Sequence, residues 1–143
     1  MKRFFVIAAI LAAAGAFSCG QSTITVSPPL FVTDTVPANG ATTSSSALNV
    51  IAVTFSEVID KETLTGRVSL AAVPSCLWTD TCGGTPVSIS LSAVSEDKLT
   101  AIFSIGAALA PAMYYRIRVS KDGLKSESGN TMAADVSHYF LTE

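Results

Sequence analysis

Cys76 and Cys82 are the residues of this 143-residue chain whose chemistry is easiest to name. Two thiols flanking Leu77-Trp78-Thr79-Asp80-Thr81 close a small disulfide loop, or else form a metal or redox pair. The second reading lacks support, because the spacing is not C-x-x-C and the chain holds one histidine. Glu57 and Asp60, three residues apart, could serve as an acid/base pair or as part of a calcium site. Calcium takes six or more oxygen ligands, and only the distant Asp122 and Asp135 are available to complete a set. His138, the one histidine, could act as a base toward one of the many serines, but no G-x-S-x-G elbow accompanies it. No catalytic constellation, metal site or cofactor site is therefore expected. Charge points the same way, since 9 Lys and Arg against 11 Asp and Glu give a formal charge of −2. Such a chain has no long-range field to draw phosphate backbones, so no nucleic-acid partner is expected.

The third cysteine, Cys19, lies in a different setting. Met1-Lys2-Arg3 supplies two positive charges, Phe4 to Phe17 is uncharged, and Ala16-Phe17-Ser18-Cys19 ends the run. This is the layout of a signal peptide, and the apolar run falls short of the ~20 residues that span a bilayer. Small residues at Ala16 and Ser18 before the cysteine resemble the lipobox of bacterial lipoproteins, with Phe17 a departure from the usual pattern. The resemblance implies that residues 1–18 are removed and that Cys19 becomes an acylated first residue. Each buried methylene contributes about 0.8 kcal/mol and stable anchoring takes more than one chain, so lipid on Cys19 would make a membrane its partner. Gly20 stands where an Asp resembles an inner-membrane retention signal, so the outer membrane is the expected location. Loss of Lys2 and Arg3 moves the formal charge from −2 to −4. With Cys19 as the lipid acceptor, Cys76 and Cys82 remain as a matched pair, which favours the disulfide.

Positioning falls to the rest of the chain. Residues 19–30, rich in Ser and Thr and closed by Pro28-Pro29, read as an extended tether of at most about 36 Å from Cys19 to Leu30. Beyond it apolar residues alternate with polar ones: Ile51, Val53 and Phe55; Val87, Ile89 and Leu91; Tyr115, Ile117 and Val119. Further strands are predicted at Phe31–Thr35, Val68–Ala72, Leu99–Phe103 and Ser137–Leu141, with one helical turn around Asp60–Leu64. Turns fall at Asn39-Gly40, Gly83-Gly84 and Gly129-Asn130. About seven short antiparallel strands over residues 31–143, with no internal repeat, make one all-β sandwich domain.

Particular residues narrow this further. Pro37-Ala38-Asn39-Gly40-Ala41-Thr42, then Val53-Thr54-Phe55-Ser56-Glu57-Val58-Ile59-Asp60 with Thr63-Leu64, resembles the bacterial Ig-like domain of S-layer proteins of the SbsA type. Leu109-Ala110-Pro111 before Tyr115-Arg116-Ile117-Arg118-Val119, and Gly129-Asn130-Thr131-Met132, agree with its later half. The resemblance implies an Ig-like antiparallel sandwich in which Glu57 and Asp60 mark the fold. Ser126 stands where the family often has Asp ahead of Gly-Asn, and can still make a local turn bond. Tyr115, just after Pro111, reads as a tyrosine-corner residue bonding to backbone, and His138 as a half-buried strand histidine. Trp78 is the candidate contact residue, the competing role being packing over a sandwich end. The expected function is that of a non-enzymatic, lipid-anchored envelope or surface protein that acts by contact with an unidentified protein partner. The alternative is a periplasm-facing accessory subunit of a larger outer-membrane complex, docking through a sheet edge or the Cys76–Cys82 loop.

Overall fold

A computed structural model describes residues 27–73 and 83–143 of the chain. The predicted leader, Cys19, Cys76, Trp78 and Cys82 lie outside the described residues. The strands are β1 (Val32–Val36), β2 (Thr42–Thr43), β3 (Val50–Phe55), β4 (Val68–Val73), β5 (Thr85–Val87), β6 (Ile89–Val94), β7 (Thr100–Ile105), β8 (Tyr114–Val119) and β9 (Val136–Thr142). They form two sheets, one ordered β1-β3-β7-β6 and the other β2-β9-β8-β4-β5. The alternation in β3 and β8 places Ile51, Val53, Phe55, Tyr115, Ile117 and Val119 between the sheets, each no more than 3% exposed. Leu70 of β4 and Phe140 of β9 complete the facing layer, and the Phe140 ring stacks on Tyr115 with centroids 5.5 Å apart.

Two features differ from the sequence reading. The run carrying Val87, Ile89 and Leu91 is not one strand but two. β5 pairs with β4 in one sheet, the chain crosses at Ser88, and β6 pairs with β7 in the other. Its apolar residues are half-buried against the core because they lie at the sandwich margin. The other difference is β2, two residues long, which pairs in parallel with β9 and adds a non-antiparallel margin to that sheet. The predicted helical turn is a single 3-10 turn at Lys61–Leu64, capped by Asp60, whose carboxylate accepts from Glu62 N at 3.1 Å.

The register gives the sandwich two distinct ends. Val32 pairs with Phe55 and Val68 with Val119, so Leu30 and the loops 56–67, 95–99 and 120–135 gather at one end. Val50 pairs with Ser104 and Tyr114 with Leu141, so the loops 44–49 and 106–113 gather at the other. Leu30, 1% exposed, bridges in parallel to Met132, which places the start of the described chain at the first end.

Candidate functional site

The residues with chemical potential are engaged in holding loops. Glu57, just past the end of β3, accepts from Asn130 Nδ2 at both carboxylate oxygens, at 2.8 and 2.9 Å. The same Asn130 amide reaches Ser27 Oγ at 2.7 Å, so one side chain ties the start of the described chain, the end of β3 and the 126–131 turn together. Ser126 takes up the task its position implied: its hydroxyl accepts from Asn130 N at 3.0 Å and its carbonyl accepts from Gly129 N at 2.9 Å. Gly129 sits at φ +84, a left-handed conformation that glycine enters without a Cβ penalty. Asp60 and Thr63 extend the clamp, because Thr63 Oγ1 donates to the Asp60 carbonyl at 2.7 Å and accepts from Lys125 N at 3.1 Å. The pair read as a fold signature therefore closes one end of the sandwich.

His138 is half-buried on β9, as read from the sequence, and its Nδ1 lies 2.9 Å from Thr35 Oγ1 on β1 of the opposite sheet. Thr35 donates its own proton to the Pro37 carbonyl at 2.9 Å, so it accepts from Nδ1–H. At 2% exposure, with its proton turned to backbone, that hydroxyl is no nucleophile. Tyr115 forms the predicted corner: its Oη accepts from Ala110 N, five residues upstream, at 2.8 Å.

Two carboxylates are held below their ordinary range, and both brace turns. Backbone N–H of Lys121, and then the Arg118 guanidinium, stabilise the ionised Asp135. The Ser95 hydroxyl, and then Leu99 N–H, do the same for Asp97. Neither belongs to a ligand cluster: among the described residues no three His, Cys, Asp or Glu side chains converge as a metal site would require.

The sheet margins are blunted in four different ways. β1 has an irregular register between Val32 and Asp34, and the Asp34 carboxylate covers the outward Thr35 N–H at 2.8 Å. β6 carries a bulge between Leu91 and Ala93, β5 is three residues long and includes Pro86, and β2 has two residues. Charge, bulge, proline and shortness are the devices that stop a margin from recruiting another strand. Docking through a sheet edge is thus disfavoured. The outer face of the five-stranded sheet instead presents an open groove of about 330 Å³ between half-buried Tyr114 and Tyr139, Leu141, and the Asn39-Gly40 turn. Sequence reading passed over this groove because its walls come from segments about a hundred residues apart, brought together when Asn39 Oδ1 accepts from Tyr139 N at 2.9 Å.

Comparison with known families places this architecture. The profile of the bacterial Ig-like domain matches residues 25–142. The chain belongs to that family. Three solved structures share the fold. The S-layer protein rSbsC(31-844) superposes with a TM-score of 0.56 at 21% identity, over 81% of this chain and 14% of that one. PcoC, a copper resistance protein from Escherichia coli, superposes with a TM-score of 0.59 at 18% identity, over 79% of this chain and 99% of that one. CopC from Methylosinus trichosporium OB3b agrees at 0.53 and 12% identity, over 80% and 93% of the two chains. The chain therefore spans one small part of the S-layer protein it resembles. At these identities the likeness is one of fold. A comparison with curated protein sequences found no match.

Proposed function

We propose that this bacterial Ig-like domain is the working part of a non-enzymatic, lipid-anchored envelope protein that acts by protein-protein contact, structural or adhesive. The observation that carries the reading is the engagement of its reactive side chains. Glu57, Asp60, Tyr115 and His138 are each bonded to another part of the fold, so the chemistry they could offer is spent on shape. Surfaces and loops are left to meet a partner, and the Tyr114–Tyr139 groove has the aromatic composition that contact sites favour.

Anchoring follows from the lipobox-like Ala16-Phe17-Ser18-Cys19. With Ser27 held by Asn130, eight residue steps separate it from Cys19, a reach of about 27 Å when fully extended. The domain then works within its own length of the membrane, with the end that holds Glu57 and Asn130 turned toward it. The outer membrane remains the expected location. Copper appears in the name of one structural neighbour, PcoC; in this chain the one histidine has its Nδ1 committed to Thr35.

Protease shaving of intact cells tests the reading, with a Cys19→Ala chain as the unanchored control. Cleavage of the anchored domain on intact cells supports an adhesive or surface-coat role. Protection until the envelope is opened moves the partner into the periplasm and favours the accessory-subunit role. A Cys19→Ala chain that stays in the membrane fraction refutes anchoring through that residue.

A further inference from the structure

The open groove on the outer face of the five-stranded sheet lies over β2, β9 and β8, across β8 from the β4–β5 margin. Its walls are two tyrosine rings and Leu141, half-buried, and its rim is the exposed Asn39-Gly40 turn with Thr42. Among the described residues no charged side chain lines it, and Arg116, which pairs with Tyr139 in the register, is already engaged within the chain. The acceptors beside it are taken: Asn39 Oδ1 by Tyr139 N at 2.9 Å, and the Tyr139 carbonyl by Gly40 N at 2.7 Å. What the lining keeps are protons, two on Asn39 Nδ2 and one on each of the Tyr114 and Tyr139 hydroxyls, none of them bonded among the described residues. Tyr114 pairs with Leu141 and Tyr139 with Arg116, so the two tyrosines are diagonal neighbours, about 7 to 8 Å apart at the backbone.

We propose that this groove binds a proline-rich segment of a partner protein in the polyproline II conformation. The inference rests on the proposed contact role and names its ligand. Such a segment presents pyrrolidine rings, which pack on aromatic faces, and carbonyl oxygens, which accept hydrogen bonds, while each proline lacks an N–H. It therefore asks of a groove what this one has left: apolar ring faces and unpaired donors, with no need of acceptors. At about 3.1 Å per residue the segment advances by about two to three residues between the tyrosines, so successive prolines meet successive rings. Its conformation is set before binding, which keeps the ordering cost low for a small site. Other modes of peptide recognition find less here. Strand addition meets the blunted margins, and capture of an acidic or phosphorylated motif takes an arginine cluster that the lining lacks.

Fluorescence anisotropy of fluorescein-labelled decaproline, titrated with the full chain carrying Cys19→Ala in detergent, tests this, with a Gly-Ser peptide of equal length as the control. Saturable binding of decaproline and none of the control is expected. Asn39→Asp keeps the acceptor for Tyr139 N but replaces the amide protons with a carboxylate that repels carbonyl oxygens, and should weaken binding at least about tenfold. Tyr139→Ala, checked for an intact thermal transition, should do the same by removing a ring face. Lys61→Glu, outside the groove, should leave binding unchanged. Failure of decaproline to saturate the chain overturns the proposal, as does equal binding of the control or indifference to both Asn39→Asp and Tyr139→Ala. So does cellotriose bound in place of decaproline, which would assign the groove to a neutral saccharide. If decaproline fails while crosslinking in cells still joins the wild-type chain to another protein, the proline-rich ligand falls and the contact reading survives.

Discussion

Thr142 concentrates more of the fold's logic than its modest size suggests. It is fully buried at the end of β9, where its hydroxyl donates to the Ala110 carbonyl at 2.6 Å and accepts from Met113 N at 3.2 Å. Tyr115 holds the other side of the same residue, accepting from Ala110 N. Both backbone groups of Ala110 are thus satisfied by side chains, and the loop they secure contains Ala112 at φ +54. Thr142→Val keeps the volume and removes only the hydroxyl. A net hydrogen bond contributes about 1 kcal/mol, and the carbonyl and N–H left behind add a desolvation cost that water at this exposed loop partly offsets. The expected loss is about 1.5 kcal/mol, or about 6 °C in Tm for a domain of this size. Tyr115→Phe, which keeps the stack on Phe140, should cost about 1 kcal/mol. Because both side chains hold one residue, Ala110, the double variant should lose less than the sum by about 0.5 kcal/mol. Urea unfolding of the four chains measures each value. A Thr142→Val loss under about 0.5 kcal/mol, or full additivity, would refute the claim that the two residues secure this loop together.

Ala112→Gly should act in the opposite direction, raising stability by about 0.5 to 1 kcal/mol because glycine enters the left-handed region without the Cβ penalty; a drop in Tm would contradict the assignment. Asn130→Ala removes the bonds to Glu57 and Ser27 and should cost about 2 kcal/mol, with faster amide exchange at Leu30 than at Ile117 as the specific sign of a released chain start. The acid limb of stability should reflect Asp97 and Asp135. Their folded pKa values lie below the ordinary 3.8, so the stability they add is complete above that value and is lost as pH falls through the lower folded values. Asp135→Asn should therefore flatten the melting profile below pH 3.8 without altering its shape near neutrality. For the expected Cys76–Cys82 bridge, reduction should add two hydrogens to the mass and destabilise the domain by roughly 2 kcal/mol; two free thiols in protein isolated from cells would rule the bridge out.

Much of this molecule could be read along the chain. Ile51, Val53 and Phe55 face the core because successive side chains of a strand point to opposite faces, so a period of two is already a statement about burial. Asp60 caps its turn and Tyr115 closes its corner through partners two and five residues away, distances over which local geometry leaves little choice. The lipobox-like segment and the cysteine spacing are likewise local patterns, and the roles they imply rest on sequence alone.

Other features needed the folded chain. The passage of residues 85–94 from one sheet to the other at Ser88 leaves the apolar alternation intact, because both halves face the same core. Periodicity reports a face and is blind to which sheet supplies it. The Glu57–Asn130 and Thr35–His138 contacts join residues 73 and 103 positions apart, and the Tyr114–Tyr139 groove is closed by a turn 100 residues away from Tyr139. That the loops 44–49 and 106–113 share one end became a property of the protein only when antiparallel pairing brought them together, since strand direction, and not sequence order, decides which loops are neighbours.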